Sequence, residues 1–318
     1  MWRYLVRRVA LTIPVLLLVT AMTFFGTLLI PGDDLQVFYG TDIDAGFTLD
    51  EIQALRAAHG LDQPAPIRYA KWLGGVLQGD LGTSLRAHEP VASLIRQKLS
   101  VSLWFTSITL VTNITVGITL GVIAGTRPGG KFDVAATFLA TWGVATPGFW
   151  VGILLILVFS LKLRWFPAAG WVSPLDDPRD AFMHMVLPIL SLGLFGSASI
   201  MRQTRSAFVE VMTQDYIRTA WAKGNSARTV IMHHALRNAL IPVITIAAFQ
   251  VASLIGGSVL VERVFAIPGF GRLTVDATTN RDYPVIQMIV LLSACAIVLS
   301  NLLADVVYSI VDPRIKYG

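Results

Sequence analysis

Charged residues are scarce in this chain of 318 residues: they make up 14% of it, whereas 54% is hydrophobic. Soluble globular proteins carry about 25% charged residues. A soluble fold of this size would leave too much apolar surface in water, so the composition predicts that a lipid bilayer is the solvent. The net charge of +5 gives no indication of a nucleic-acid partner, because basic residues in membrane proteins mark one side of the membrane.

Cysteine is almost absent, since Cys295 is the single one and lies inside an apolar run. No internal disulfide and no cysteine metal cluster can form, and we interpret Cys295 as a small packing residue. The adjacent His233 and His234 lack the i, i+4 spacing with which helical histidines bind zinc. Neither a P-loop nor a G-x-G-x-x-G motif occurs, so we expect this chain to bind no metal, nucleotide or other cofactor.

Long apolar runs dominate what is present, and six of them reach the roughly 20 residues that span a bilayer as a helix. They lie at 9–30, 100–125, 136–161, 184–203, 239–261 and 285–309. The first run is longer than the apolar region of a signal peptide and lacks an A-x-A cleavage site, so we interpret it as a retained helix. The pattern predicts an all-α polytopic membrane protein with six transmembrane helices.

Lys and Arg residues are distributed unevenly between the loops. With the N-terminus inside, 13 of them lie in the segments facing the cytoplasm and six in the two short outer segments. Since basic residues are enriched in cytoplasmic loops, both termini are predicted to be cytoplasmic. The predicted parts are an N-terminal transmembrane helix (residues 1–30) and an extracytoplasmic subdomain (31–99). They are followed by a core of five transmembrane helices (100–309), which includes a cytoplasmic loop (204–238), and by a cytoplasmic tail (310–318).

The predicted subdomain opens with a turn at 31–34 and then carries T-L-D-E at 48–51. This pattern predicts a capping box in which Thr48 begins a helix and Glu51 reaches back to it, with the helix ending at Gly60. No residues here have the spacing of a catalytic or metal site. We favour a packed cap over the outer mouth of the protein, and a substrate site is the alternative.

Ionisable residues are absent from the predicted spans 100–125, 136–161 and 239–261. Ion-driven transporters normally use buried carboxylates or broken helices to hold the coupling ion. We expect neither here, so the energy has to come from outside the chain. Polar uncharged side chains in two spans either line a wet, weakly selective path or satisfy neighbouring helices. The candidates for a path are Thr109, Thr112, Asn113 and Gln250.

The loop at 204–238 is long, and long loops in compact folds are usually functional. Thr213 or Asp215 can cap a short helix that runs to Lys223. Gly224 supplies a left-handed stop after it. The residues therefore predict a short helix that lies across the membrane surface and is hinged at a glycine.

Asn225 or Ser226 can cap the helix that follows the hinge. A short amphipathic helix of this kind can dock into a groove on a soluble partner. We expect its apolar anchors to be Tyr216, Ile217 and Ala220, because i, i+3 and i+4 positions share one helix face. The alternative is a solvated basic loop with no partner.

The same loop is similar to a known motif. D-Y-I-R-T-A at 215–220, K-G at 223–224 and H-A-L-R-N-A-L-I-P at 234–242 resemble the EAA loop of ABC importer permeases, above all its dipeptide/oligopeptide branch. Further segments that resemble this branch lie at 2–8, 79–85, 262–273, 303–308 and 312–315. The long segment after the first helix resembles that of the B-type permease subunit.

This resemblance implies the ABC importer type I permease fold and an import complex in a bacterial cell membrane. A second homologous permease would complete the path, two cytoplasmic ATPases would bind ATP and Mg, and an extracytoplasmic binding protein would deliver di- or oligopeptides. The implied ATPase-coupling residues are Asp215, Tyr216, Ile217, Arg218, Thr219, Ala220, Lys223 and Gly224. Similar permeases serve nickel chelates, glutathione, oligosaccharides and haem, so these cargoes are alternatives.

Two other classes of function are less well supported by the residues. A membrane enzyme would need a buried catalytic set or an H-E-x-x-H motif, and the sequence offers neither. A secondary transporter or channel would keep working after the loss of a separate ATPase, and this property distinguishes it from an ABC permease.

The distribution of basic residues generates a testable prediction of topology. A reporter fused after Gly318 is expected in the cytoplasm, and one inserted near Gly46 is expected outside, because the basic loops stay inside. Activity of paired reporters in intact cells measures both positions. Finding the two reporters on the same side would overturn the six-span arrangement.

Overall fold

The computed structural model describes residues 2–29, 48–58 and 61–311, and regular structure in these ranges is helical apart from one isolated bridge. The helices are α1 (Trp2–Thr27), α2 (Leu49–Ala58), α3 (Ala65–Leu77), α4 (Val91–Thr126), α5 (Lys131–Ala145), α6 (Gly148–Leu155), α7 (Pro178–Met212), α8 (Asp215–Ala222), α9 (Ala227–Thr229), α10 (Leu236–Val264), α11 (Phe270–Thr279) and α12 (Tyr283–Val311). Two π-helical segments, Ile156–Lys162 and Val230–Ala235, continue α6 and join α9 to α10. The predicted all-α class is confirmed.

The chain divides into two compact units. The first comprises residues 1–100 and 272–298, and the second comprises residues 101–271 and 299–318. The turn predicted at 31–34 and the segment 312–315 lie outside the described residues, as does the predicted helix end at Gly60.

An aromatic cluster joins α1 to α3 in the first unit. The ring of Phe24 lies 5.5 Å from that of Tyr69 and 6.0 Å from that of Trp72, measured between centroids. The hydroxyl groups of Tyr69 and Thr20 are 2.9 Å apart and share a hydrogen bond. Aromatic rings bury large apolar areas, so these contacts hold α3 against α1.

The predicted capping box at the start of α2 is confirmed. The backbone N–H of Thr48 donates to Glu51 Oε2 at 2.7 Å, and the backbone N–H of Glu51 lies 3.4 Å from Thr48 Oγ1. These bonds satisfy two of the donors that a helix start leaves open. The hydrogen bonds from Thr48 also lower the pKa of the Glu51 carboxyl group.

A buried carboxylate just before α12 holds a turn of the first unit. Asp282 is 3% exposed and accepts hydrogen bonds from the hydroxyl of Ser84 and from the backbone N–H of Leu85, the latter at 3.1 Å. Asp282 thereby fixes the segment 79–85, which the sequence singled out, to the beginning of the last long helix.

The second unit is built around α7, against which α5, α6 and α10 pack. Glycines of α4 also lie directly against α7. A Cβ atom on Gly117 would stand 2.7 Å from the side chain of Ile200, and one on Gly121 would stand 2.6 Å from Cβ of Thr204. Small residues let helix backbones approach closely in lipid, where dispersion rather than the hydrophobic effect drives packing. The glycines of α4 therefore allow a close contact between α4 and α7.

Five helices of the described chain are long and apolar enough to cross a membrane, or six if α5 and α6 form one bent span. The spans predicted at 100–125, 184–203 and 285–309 lie within α4, α7 and α12.

The predicted span 136–161 is not one straight helix, because α5 and the extended α6 meet at an angle of 105°. Pro147 explains the break. Proline has no N–H to donate, and it disfavours helical backbone at Thr146, whose φ of −97° and ψ of 130° are extended.

The close contact at Gly121 generates a prediction of stability. Replacing Gly121 by alanine is expected to destabilise the protein by about 1–3 kcal/mol, the usual cost of overpacking, because the new Cβ would stand 2.7 Å from the Met201 carbonyl oxygen. Gly26→Ala in α1 is the matched control, since no atom lies within 4 Å of its added Cβ. Thermal unfolding of the purified protein in detergent measures both. An unchanged midpoint for Gly121→Ala would contradict this close contact.

Candidate functional site

The short helix predicted in the loop 204–238 exists as α8 and is fastened by its apolar face. Ile217 is fully buried and Ala220 is 5% exposed. Both belong to an apolar cluster with Phe208 of α7 and Val230 of the following π-helical segment. The helix therefore rests on its own chain through this face.

This burial corrects the expectation that Ile217 and Ala220 anchor a partner. Helical spacing correctly put the two residues on one face, but spacing does not tell whether a face meets the same chain or another one. Tyr216 is 42% exposed, and its hydroxyl accepts a hydrogen bond from Asn238 Nδ2 at 2.8 Å. Of the three expected anchors, only Tyr216 remains available to a partner.

The outward face of α8 combines aromatic and charged side chains. Trp221 is 43% exposed, and the side chain of Arg218 is 76% exposed. Arg218 lies 3.4 Å from Asp215, a surface ion pair that contributes little stability. Trp221 was not singled out from the sequence. The sequence does not show that this tryptophan is exposed on a helix of eight residues. Its exposure makes it a candidate, because Trp is enriched among the residues that dominate binding at interfaces.

The turn after α8 has the geometry expected of a hinge between helices. Gly224 has a φ of +77°, in the left-handed region that glycine adopts without strain. Ser226 caps the next helix, since its Oγ accepts from the backbone N–H of Thr229 at 3.3 Å. Asn225 instead donates to the carbonyl oxygen of Ala220 at 2.9 Å and closes the end of α8.

The expected cap at the start of α8 is wrong. Gln214 occupies the position before the helix, without a side-chain hydrogen bond to it, and neither Thr213 nor Asp215 is the cap. Thr219 donates its hydroxyl to the Asp215 carbonyl oxygen at 3.0 Å, and Lys223 follows the last helical residue. The buried face, rather than a cap, holds the helix in place.

An ion pair joins the beginning of α5 to α7. Nε and Nη2 of Arg205 donate to the two carboxylate oxygens of Asp133. Asp133 is 3% exposed and also accepts from the backbone N–H of Gly129 at 2.8 Å. A buried carboxylate with this many donors is fully compensated and geometrically fixed.

Two of the four candidate path residues, Asn113 and Gln250, meet in the interior of the second unit. Asn113 Nδ2 lies 3.5 Å from Gln250 Oε1, and Gln250 Nε2 donates to the Gly196 carbonyl oxygen at 2.8 Å. Thr109 is fully buried and donates to the Phe105 carbonyl oxygen at 2.8 Å. In these contacts the polar groups satisfy the helices around them, which is one of the two interpretations of the sequence.

Thr112 is the candidate that borders open space. It lines a cavity of about 350 Å³ between α4, α5 and α7, in which Ser197 supplies the other hydroxyl group and the remaining side chains are apolar. So apolar a lining suits a hydrocarbon chain or an apolar helix better than a charged cargo. A path along the four candidates therefore remains a prediction.

A second buried carboxylate organises the turn between α10 and α11. Glu262 is fully buried and accepts hydrogen bonds from Ser102 Oγ at 2.7 Å and Ser258 Oγ at 3.0 Å. The backbone N–H of Phe270 donates to Ser102 Oγ at 2.7 Å. A Cβ on Gly269 would stand 2.5 Å from Glu262 Oε2, so this glycine allows the turn to close over the carboxylate.

These two carboxylates correct the expectation of an interior with neither buried acids nor a broken helix. Asp133 and Glu262 lie just outside the predicted spans, and Pro147 breaks one of those spans. Their hydrogen bonds come from the chain itself, and the described residues contain no group of three side chains suited to a metal ion. The source of transport energy is therefore better judged from the family.

Comparison with known proteins identifies that family. The model for the binding-protein-dependent transport system inner membrane component matches residues 117–317, and the model for the N-terminal part of such components matches residues 1–106. The oligopeptide transport system permease protein AppB of Bacillus subtilis (strain 168) is 41% identical over 318 residues, 99% of each chain. A putative peptide transport system permease protein of Brucella abortus (strain 2308) is 40% identical over 98% of each chain.

A further relative and a solved structure agree with these matches. The glutathione transport system permease protein GsiC of Salmonella paratyphi A (strain ATCC 9150 / SARB42) is 39% identical over 100% of each chain. A chain of the MetNI methionine ABC transporter, in an inward-facing conformation, superposes with a TM-score of 0.57 at 17% identity. This superposition covers 70% of the present chain and 99% of that chain, and it shows a shared permease fold.

The resemblance seen in the sequence is thus confirmed, and ATP hydrolysis in such importers is carried out by separate subunits. The chain belongs to the family of binding-protein-dependent transport system inner membrane components, the multi-pass permease subunits of ABC importers.

Proposed function

We propose that this chain is the B-type permease subunit of an ATP-driven importer for di- and oligopeptides. A second homologous permease completes the path, and an extracytoplasmic binding protein delivers the cargo. Two ATPases bind ATP and Mg, and the permease itself binds no cofactor. The proposal is supported by similarity along the whole chain to permeases named for peptides, at 41% and 40% identity.

The proposed role of α8 in coupling ATP hydrolysis to transport is supported by the difference between its two faces. Its inner face is fixed to α7 through Ile217 and Ala220. Tyr216 and Trp221 are 42% and 43% exposed, and the side chain of Arg218 is 76% exposed. A helix with one face buried and aromatic and cationic groups on the other is suited to docking in a groove of a second protein. We assign the ATPases to this outer face.

The proposed topology has six spans, with α5 and the extended α6 as one bent span. Both termini and the loop 204–238 face the cytoplasm of a bacterial cell, and residues 31–99 form an outer subdomain. The 13 basic residues in the segments assigned to the cytoplasm, against six in the two short outer segments, support this orientation. In it, α8 lies where cytoplasmic ATPases can reach it.

Glutathione is the second candidate cargo, favoured by the similarity to GsiC at 39% identity over the full length. Glutathione is itself a small peptide, so both cargoes require the same kind of path. Nickel chelates, oligosaccharides and haem stay alternatives from the sequence.

Trp221 tests the docking face. Trp221→Ala is expected to weaken binding of the ATPases by about 2 kcal/mol, roughly 30-fold, because truncating a central aromatic anchor typically has this effect. Insertion of the permease should stay normal, since the side chain is 43% exposed and supports no core. Co-purification of the ATPases with the tagged permease measures binding.

Trp165→Ala is the matched control for this experiment. Trp165 is 58% exposed and lies in the connection before α7, away from the loop. It should leave ATPase binding unchanged. Equal binding for the parent, the control and Trp221→Ala would remove the basis for assigning the ATPases to this face.

Gly224 tests the hinge behind the docking face. Gly224→Val is expected to cost about 1–2 kcal/mol in the loop, because a side chain raises the energy of left-handed backbone by this amount. Gly224→Asn is the control, since asparagine tolerates this conformation and no atom lies within 4 Å of an added Cβ. Limited proteolysis of the loop and substrate-stimulated ATP hydrolysis are the measurements. Valine and asparagine variants that behave alike would show that the conformation at Gly224 is not required.

A further inference from the structure

We propose that the ion pair of Asp133 and Arg205 is a positioning link that makes the bent α5–α6 segment follow α7 when the loop helix α8 is displaced. The inference rests on the proposed coupling role of α8. It assigns to two residues outside the loop helix α8 the task of passing the movement of α8 on to a membrane-spanning segment.

The first step is the contact of α8 with α7. Phe208 is fully buried in the cluster that contains Ile217 and Ala220. Interiors as closely packed as this one transmit displacement instead of absorbing it. A force that moves α8 therefore acts on the end of α7.

The second step is the ion pair itself. Arg205 lies three residues before Phe208, which places the two side chains about one helical turn apart on α7. Arg205 holds both oxygens of Asp133 through two parallel N–H donors, which fixes orientation as well as distance. Asp133 lies in the first turn of α5, and its bond from Gly129 ties in the connection before that helix.

The third step is the bent segment beyond Asp133. Its two halves meet at 105°, so α5 and α6 are separate rods. α6 has its own attachment to α7, because Ser191 Oγ donates to the Gly148 carbonyl oxygen at 2.7 Å. The ion pair at the start of α5 and this bond at the start of α6 fasten both halves to one helix.

A purely structural ion pair would also stabilise the fold, so the test has to follow movement. Val134 of α5 and Glu210 of α7, both exposed, are each replaced by cysteine and carry a spin label. Pulsed electron spin resonance then measures the distance between the two helices. Cys295 is replaced by serine so that only the labels react. The complete complex with its ATPases is compared without nucleotide and in the ATP-trapped state.

In the parent complex the distance between the labels is expected to be the same in both states, because α5 moves with α7. In Asp133→Asn the distance should change between the states, and the amount of cargo moved per ATP hydrolysed should fall about tenfold, an ordinary size for coupling between sites. Asp180→Asn, at the opposite end of α7, is the matched control and should behave as the parent in both measurements.

Two results would overturn the link. One is a parent distance that differs between the two states, which can be observed whether or not Asp133→Asn assembles. The other is an Asp133→Asn complex with parental transport per ATP. Failure of the link alone leaves the ATPases bound to the parent and released by Trp221→Ala, whereas ATPases that ignore Trp221→Ala contradict the proposed docking face itself.

Discussion

Close contact between α7 and the helices around it is the constraint on which the second unit depends. Lipid chains are as apolar as leucine side chains, so helices gain little by hiding apolar groups from lipid. They gain dispersion energy when backbones approach closely, and Gly117 and Gly121 allow this approach for α4. Three other features depend on the position of α7, because each has one partner on it. They are the loop helix α8, the contact between the buried side-chain amides, and the ion pair.

The buried carboxylates show a second regularity, since the chain itself supplies their hydrogen-bond donors. Asp133, Asp282 and Glu262 are nearly or fully buried, and each accepts hydrogen bonds from backbone or side-chain donors. An uncompensated charge would be very costly in so apolar a setting. Each of the three stands where a connection meets a long helix, so the carboxylates set the ends of the helices while small residues set their spacing.

Much of this architecture is readable from the sequence. Apolar length predicted the helices, the Thr48 pattern predicted a capping box, and Gly224 predicted a left-handed turn, because each depends on neighbours in sequence. The pairing of Asp133 with Arg205 depends on residues far apart in the chain, and no local sequence pattern predicts it. The prediction that the apolar face of α8 meets a partner was wrong for a related reason. The spacing of Ile217 and Ala220 defines a face, but only the fold decides that Phe208 covers it.

The length of α7 has a mechanical consequence. Its 35 residues make a rod of about 52 Å at a rise of 1.5 Å per residue, whereas the hydrocarbon core of a bilayer is about 30 Å thick. Roughly 20 Å of the helix therefore lies beyond the hydrocarbon and acts as a lever arm. For a rod of this length, a tilt of about 5° moves one end by about 4.5 Å relative to the other. If the helix pivots near its middle, each end moves by about half of this distance, so a small rotation at the membrane centre shifts the loop by about 2 Å.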